Sequence, residues 1–61
     1  MRFKIDQKVK LIRDHVTASG TVPMGTKGTI TALFPFLELY QVQFDGFATR
    51  FKVLERDLDP A

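Results

Sequence analysis

Two glycines three residues apart, Gly25 and Gly28, constrain this chain more than any other feature. They pace the stretch Val22-Pro23-Met24-Gly25-Thr26-Lys27-Gly28-Thr29-Ile30-Thr31-Ala32-Leu33. Pro23 fixes its own φ, and the glycines accept backbone angles that side chains forbid. Beyond Gly28 the pattern is period two, with Ile30 and Ala32 facing in and Thr29 and Thr31 facing out, as in a half-buried strand. The stretch therefore reads as a turn-rich loop feeding a strand. One strand and a long loop precede it; a hairpin and a short cap follow.

In Lys8–Arg13, Val9 and Leu11 alternate with Lys8, Lys10 and Arg13, which predicts the first strand. Residues 1–7, with Phe3 and Ile5, form a lead-in arm or a short strand. Asp14 to Thr26 has few apolar anchors and reads as one long loop, a length that is more often functional than incidental. The second strand covers about 27–33, and Phe34-Pro35-Phe36-Leu37-Glu38 makes a tight connection because Pro35 has no N–H for a ladder. The third strand, 39–45, places Tyr40, Val42 and Phe44 on one face and Gln41 and Gln43 on the other. Asp45-Gly46 predicts a two-residue hairpin, pairing Phe44 with Phe47, Val42 with Thr49 and Tyr40 with Phe51. Residues 53–58 suit one 3₁₀ turn with Leu54 and Leu58 inward, before a brief closing strand. Gly25, Gly28, Asp45 and Gly46 are thus read as structural turn residues. The order of elements predicts an all-β fold, a small SH3-like barrel of about five strands with a long first loop and a 3₁₀ turn before the C-terminus.

At 61 residues the chain has room for one domain, 1–61, and one small core. It has no cysteine and a single histidine, so no disulfide, thiolate site or structural zinc is expected. The opening residues lack an apolar core for a secretion signal, and no apolar run spans a bilayer. A cytoplasmic protein without membrane contact, a monomer or small homo-oligomer, is the expectation. Nine basic against seven acidic side chains give a formal charge of +2, which permits a polyanionic partner without demanding one.

Gly25-Thr26-Lys27-Gly28-Thr29-Ile30 resembles the G-x-x-G-x-V/I core of KOW-type barrels, found in ribosomal proteins and transcription elongation factors. Over residues 5–59, through "KVKLIRD", "VPMGTKGTI", "YQVQFDG" and "LERDL", the chain resembles small free-standing bacterial SH3-like proteins of unknown function. It is similar in plan to the SH3-like accessory protein of photosystem I and to the variable chain of ferredoxin–thioredoxin reductase. The resemblance implies an SH3-like fold, with a peptide groove between the long loop and the Phe34–Leu37 connection.

No catalytic set emerges. Asp14 and His15 have no serine, cysteine or second histidine at a recognisable spacing, and a lone loop histidine is usually a polar surface residue. The carboxylates Asp45, Glu55, Asp57 and Asp59 occupy turn and cap positions that favour acids on structural grounds. Gly25 and Gly28 lack the following helix that a phosphate loop requires. Neither cofactor nor metal is expected.

The leading reading is a non-enzymatic protein-interaction or accessory-subunit module. Its groove would lie between 14–26 and 34–37, lined by Arg13, His15, Met24, Phe34, Phe36 and Leu37. One of Phe34 and Phe36 packs inward and leaves the other as an interface anchor; the plainer alternative has both capping an open barrel end. A second reading is a nucleic-acid-binding face of Lys8, Lys10, Lys27, Arg50 and Lys52, forming one stripe if the first and fourth strands are neighbours. The plainer account of those lysines is a solvated face that resists edge-to-edge pairing. The third, an enzyme assembled only in an oligomer, ranks last.

Overall fold

The computed structural model describes residues 2–61. The described residues are all-β apart from two 3₁₀ turns. The strands are β1 (Lys8–Leu11), β2 (His15–Thr17), β3 (Gly20–Val22), β4 (Lys27–Phe34), β5 (Leu39–Phe44), β6 (Phe51–Leu54) and β7 (Leu58–Pro60). One 3₁₀ turn, Pro35–Leu37, joins β4 to β5, and a second, Glu55–Asp57, joins β6 to β7. Five strands form an antiparallel sheet in the order β6-β5-β4-β1-β7, while β2 and β3 pair separately.

By hydrogen bonding the main sheet is open, with β6 and β7 as its edges, rather than a closed barrel. A flat sheet of five strands would hold its edges about 19 Å apart. Yet Leu54 of β6 and Leu58 of β7 are separated by only the three residues of the second 3₁₀ turn, a link of at most about 15 Å. The sheet therefore curls, and its edges approach at that end without pairing.

The concave face holds the core: Phe3, Val9, Leu11, Val22, Ile30, Tyr40, Val42, Phe44, Val53 and Leu58 are buried, with Phe47 and Phe51 packed partly against them. The arm packs on the core through Phe3; Met1 lies outside the described residues. Phe3 is buried on Tyr40, with ring centroids 5.3 Å apart, whereas Ile5 is exposed. The Asp6 N–H donates to the Ile30 carbonyl at 2.8 Å, and the Ile30 N–H donates to the Gln7 carbonyl at 3.0 Å, tying the arm to β4.

Several sequence expectations are corrected here. The 14–26 segment is not one open loop, because β2 and β3 form a hairpin within it. Its β-branched pairs, Val16-Thr17 and Thr21-Val22, favour strand pairing, and Gly20 takes a φ of 131° beside the turn. The Thr17 hydroxyl holds that turn by donating to the Gly20 carbonyl at 2.8 Å.

The Asp45-Gly46 hairpin is wider than two residues. Val42 pairs with Phe51 and Tyr40 with Val53, two positions beyond the expected partners. A type I′ turn needs positive φ at both central residues, and only Gly46 has it, at 85°. The Phe47 N–H closes the turn onto the Phe44 carbonyl at 3.1 Å, and residues 48–50 run on before β6 begins. A slip of two preserves the faces, so Phe51 still packs on the core. Beyond it, Val53 takes the inward position, and Leu54 is half-buried opposite Leu39.

Gly28 is a strand residue, not a turn residue. A Cβ there would lie 2.8 Å from both the Gln43 carbonyl oxygen and Val42 Cγ1, so close packing rather than φ requires glycine. Gly25, with φ of 91°, does need its backbone freedom.

Candidate functional site: an apolar hollow at the end of β4

The site arises from one irregularity in β4. Gly28 pairs with Phe44 and Ile30 with Val42, but Ala32 then pairs with Gln41 and Phe34 with Leu39. Thr31 is the extra residue of a bulge, and its hydroxyl donates to the Gln41 carbonyl at 3.1 Å. A bulge of one residue reverses the in-and-out parity of everything beyond it. Ala32, expected inward, therefore shares the outer row of Gln41 and Lys52, and Phe34 shares the outer row of Leu39 and Leu54.

The chain then turns sharply. Pro35 opens the 3₁₀ turn, and Glu38 ends it in the left-handed region at φ 53°, its N–H donating to the Pro35 carbonyl at 3.2 Å. None of the turn residues is buried. Leu33, Phe34, Pro35, Phe36 and Leu37 surround an open hollow of about 230 Å³. Phe36 is fully exposed (101%) and Leu37 is 63% exposed. Lys52 reaches from β6 across β5 to hold its Nζ 5.3 Å from the centre of the Phe34 ring, a cation–π contact.

Of the six residues expected to line a groove, Phe34, Phe36 and Leu37 come together here, and Phe36 is the exposed aromatic. Arg13, His15 and Met24 do not line the hollow. Arg13 is held by the second 3₁₀ turn, its Nη1 2.8 Å from Asp57 Oδ1 and 3.1 Å from the Arg56 carbonyl. His15 sits edge-on to Phe51 at 5.8 Å. The exposed Met24 lies in a turn whose N–H donates to Asp14 Oδ1 at 2.7 Å. These bonds, with Gly25 donating to the Leu11 carbonyl at 2.8 Å, keep the base of the hairpin beside β1 and the start of β4. The hollow lies at that strand's other end.

The expected cationic stripe is also rearranged. β4 and β5 separate β1 from β6, so Arg50 and Lys52 are not neighbours of Lys8 and Lys10 in the sheet. Lys10 instead pairs with Lys27 on one side and Asp59 on the other, and Lys8 donates to the Thr29 hydroxyl at 2.7 Å. Arg50 lies exposed in the loop before β6.

The one strongly coupled polar group lies elsewhere and is structural. The Tyr40 hydroxyl accepts the Phe3 N–H at 3.0 Å and donates to Glu55, which also accepts the Arg2 N–H at 3.3 Å. Burial raises the Tyr40 pKa, and its hydrogen bond to Glu55 adds to the effect. The same bond lowers the Glu55 pKa. Together they clip the arm to the second 3₁₀ turn. Among the described residues no three His, Cys, Asp or Glu side chains gather as a metal site, and no helix is long and apolar enough to cross a membrane.

Leu33, Glu38 and the role of Lys52 escaped the sequence reading. Nothing in Thr29-Ile30-Thr31-Ala32 marks a bulge, so strict alternation carried Ala32 to the wrong face. Compared with protein-family models, curated proteins and solved structures, the chain matches none.

Proposed function

We propose that this chain is a non-enzymatic binding module, a protein-interaction or accessory subunit that docks its partner on the Leu33–Leu37 hollow. The observation that carries this reading is Phe36, wholly exposed on the rim of an apolar hollow. An aromatic ring in water beside an unfilled apolar surface is the usual form of an interface anchor. The strand order β6-β5-β4-β1-β7 and the curl of the sheet support an SH3-like plan for the scaffold. A cytoplasmic setting suits a chain without cysteine.

A nucleic-acid-binding face is the second reading, favoured by Lys10 lying opposite Lys27 with Lys8 one row away. Such a face would track phosphates and weaken steeply with salt.

A peptide array of apolar and aromatic motifs, a DNA single strand and a short duplex, all at physiological salt, separate the two. The docking reading expects array binding that Phe36→Asp abolishes and a triple Lys8→Glu, Lys10→Glu, Lys27→Glu variant retains. Binding that survives Phe36→Asp, or nucleic-acid binding lost only in the triple variant, overturns it.

A further inference from the structure

We propose that the outer edge of β6 is a second docking site, which takes an extended segment of a partner protein as a further strand of the main sheet. The inference does not depend on the hollow. It rests on how differently the two edges of the sheet end.

Successive residues of a strand present their N–H and C=O groups alternately to its two sides. The Glu55 N–H donates to the Glu38 carbonyl at 2.9 Å, in register with the pairs Leu39–Leu54, Tyr40–Val53, Gln41–Lys52 and Val42–Phe51. That bond fixes the alternation: Phe51 and Val53 bond toward β5, while Lys52 and the Leu54 N–H point to the outer edge. β2 and β3 pair only with each other, and no acceptor among the described residues takes the Lys52 or Leu54 N–H.

The other edge is closed. The Ala61 N–H donates to the Lys8 carbonyl at 3.2 Å and the Ile12 N–H to the Asp57 carbonyl at 2.9 Å, so Leu58 and Pro60 are the outward residues of β7. The Leu58 N–H donates back to the Glu55 carbonyl, and the Leu58 carbonyl accepts Arg2 Nη1 at 3.4 Å. Pro60 has no N–H to offer. Proteins guard exposed edges with proline and with lysine. β6 has its lysine, but the Lys52 side chain leaves the edge and crosses β5 to the Phe34 ring, 5.3 Å away.

The open groups of Lys52 and Leu54 are those that a backbone in extended form satisfies, the chemistry of strand addition. Side-chain preference comes from the outer row Phe34–Leu39–Leu54, which ends at this edge. A β-branched apolar residue opposite Leu54 continues that row. Every pairing in the sheet is antiparallel, and the added strand takes the same sense.

Hydrogen exchange and amide shifts of the labelled whole chain, alone and with the capped peptide acetyl-Thr-Thr-Val-Thr-Thr-amide, test this. Without peptide, the Lys52 and Leu54 amides should exchange at least about tenfold faster than those of Phe51 and Val53. Near saturation they should slow by about tenfold. Leu54 has a φ of −65°, an angle proline adopts, so Leu54→Pro removes the outward N–H and spares the β5 ladder. It should abolish peptide binding, whereas Leu54→Ala and Phe36→Asp should retain it. Should Leu54→Pro fail to fold, a peptide N-methylated at valine and at the threonine two residues on makes the same test on the wild type, and it should not bind. No saturable binding up to about 5 mM peptide overturns the inference. So does binding that leaves the Lys52 and Leu54 amides unprotected, or that survives Leu54→Pro or N-methylation. Protection that grows with protein concentration alone makes the occupant a second copy, and overturns it too.

Discussion

The two ends of β4 have opposite fates. From Lys27 to Ile30 the strand is paced by the core: Gly28 has no space for a Cβ, and Ile30 is fully buried. From Ala32 to Leu37 a still more apolar sequence is half-buried at Ala32 and Phe34 and exposed at Leu33, Phe36 and Leu37. Hydrophobicity does not account for the difference. A single unpaired position, Thr31, exchanges the faces, sending Phe34 to the outer row and Leu33 to the row of Tyr40, and the 3₁₀ turn that follows leaves Phe36 and Leu37 in water. Apolar residues left outside by a bulge and a turn are therefore evidence about function in a way that apolar residues in a regular strand are not.

Substitutions in the two halves should accordingly differ sharply in effect. Ile30→Ala should be the most damaging, losing about 2–5 kcal/mol as a core truncation. A chain of this size has little stability to spare, so urea denaturation should show it largely unfolded. Gly28→Ala comes next. The nearest atom to the new Cβ is a backbone carbonyl oxygen at 2.8 Å, which cannot swing aside, and an overpacking loss of about 1–3 kcal/mol is expected in the same assay.

Acid should act between these and the surface. The Glu55 pKa is lowered in the folded state, so its contribution is full above the unfolded carboxylate pKa and is lost as pH falls through the folded one. Thermal melts should show stability declining through the acid range, and Glu55→Gln should flatten that decline. Tyr40, whose pKa is raised, has the reverse sign: its contribution is full at neutral pH and is lost only as strong alkali ionises the phenol. The smallest effect belongs to the outward half. Phe36→Ala should change stability by no more than about 0.5 kcal/mol, while removing the docking anchor.

Much of this was legible in the sequence because local chemistry decided it. The alternation in Lys8–Leu11, Lys27–Ile30 and Leu39–Phe44, the proline after Phe34 and the turn at Gly46 all act through a residue's own backbone or immediate neighbours. Phe34, Pro35, Phe36 and Leu37 stood out on the same grounds. What sequence could not supply were relations between distant segments. The two-residue slip of β6 was hidden because it leaves each side chain on its face. The β2–β3 hairpin was obscured by a polar composition that also suits a loop. The strand order, which keeps Lys52 from Lys8 and Lys10 and brings it to Phe34, depends on how the sheet assembles. The bulge at Thr31 follows from matching β4 to β5 and the arm together, and no residue type announces it.

An amide shift map of labelled protein, recorded during titration with an apolar peptide from the array, tests the central claim most directly. The account predicts saturable shifts confined to Leu33–Leu39 and Lys52, with Lys8–Leu11 and His15–Val22 unmoved and the whole response lost in Phe36→Asp. Shifts centred on the hairpin or on the β1 lysines, or none at all, would contradict it.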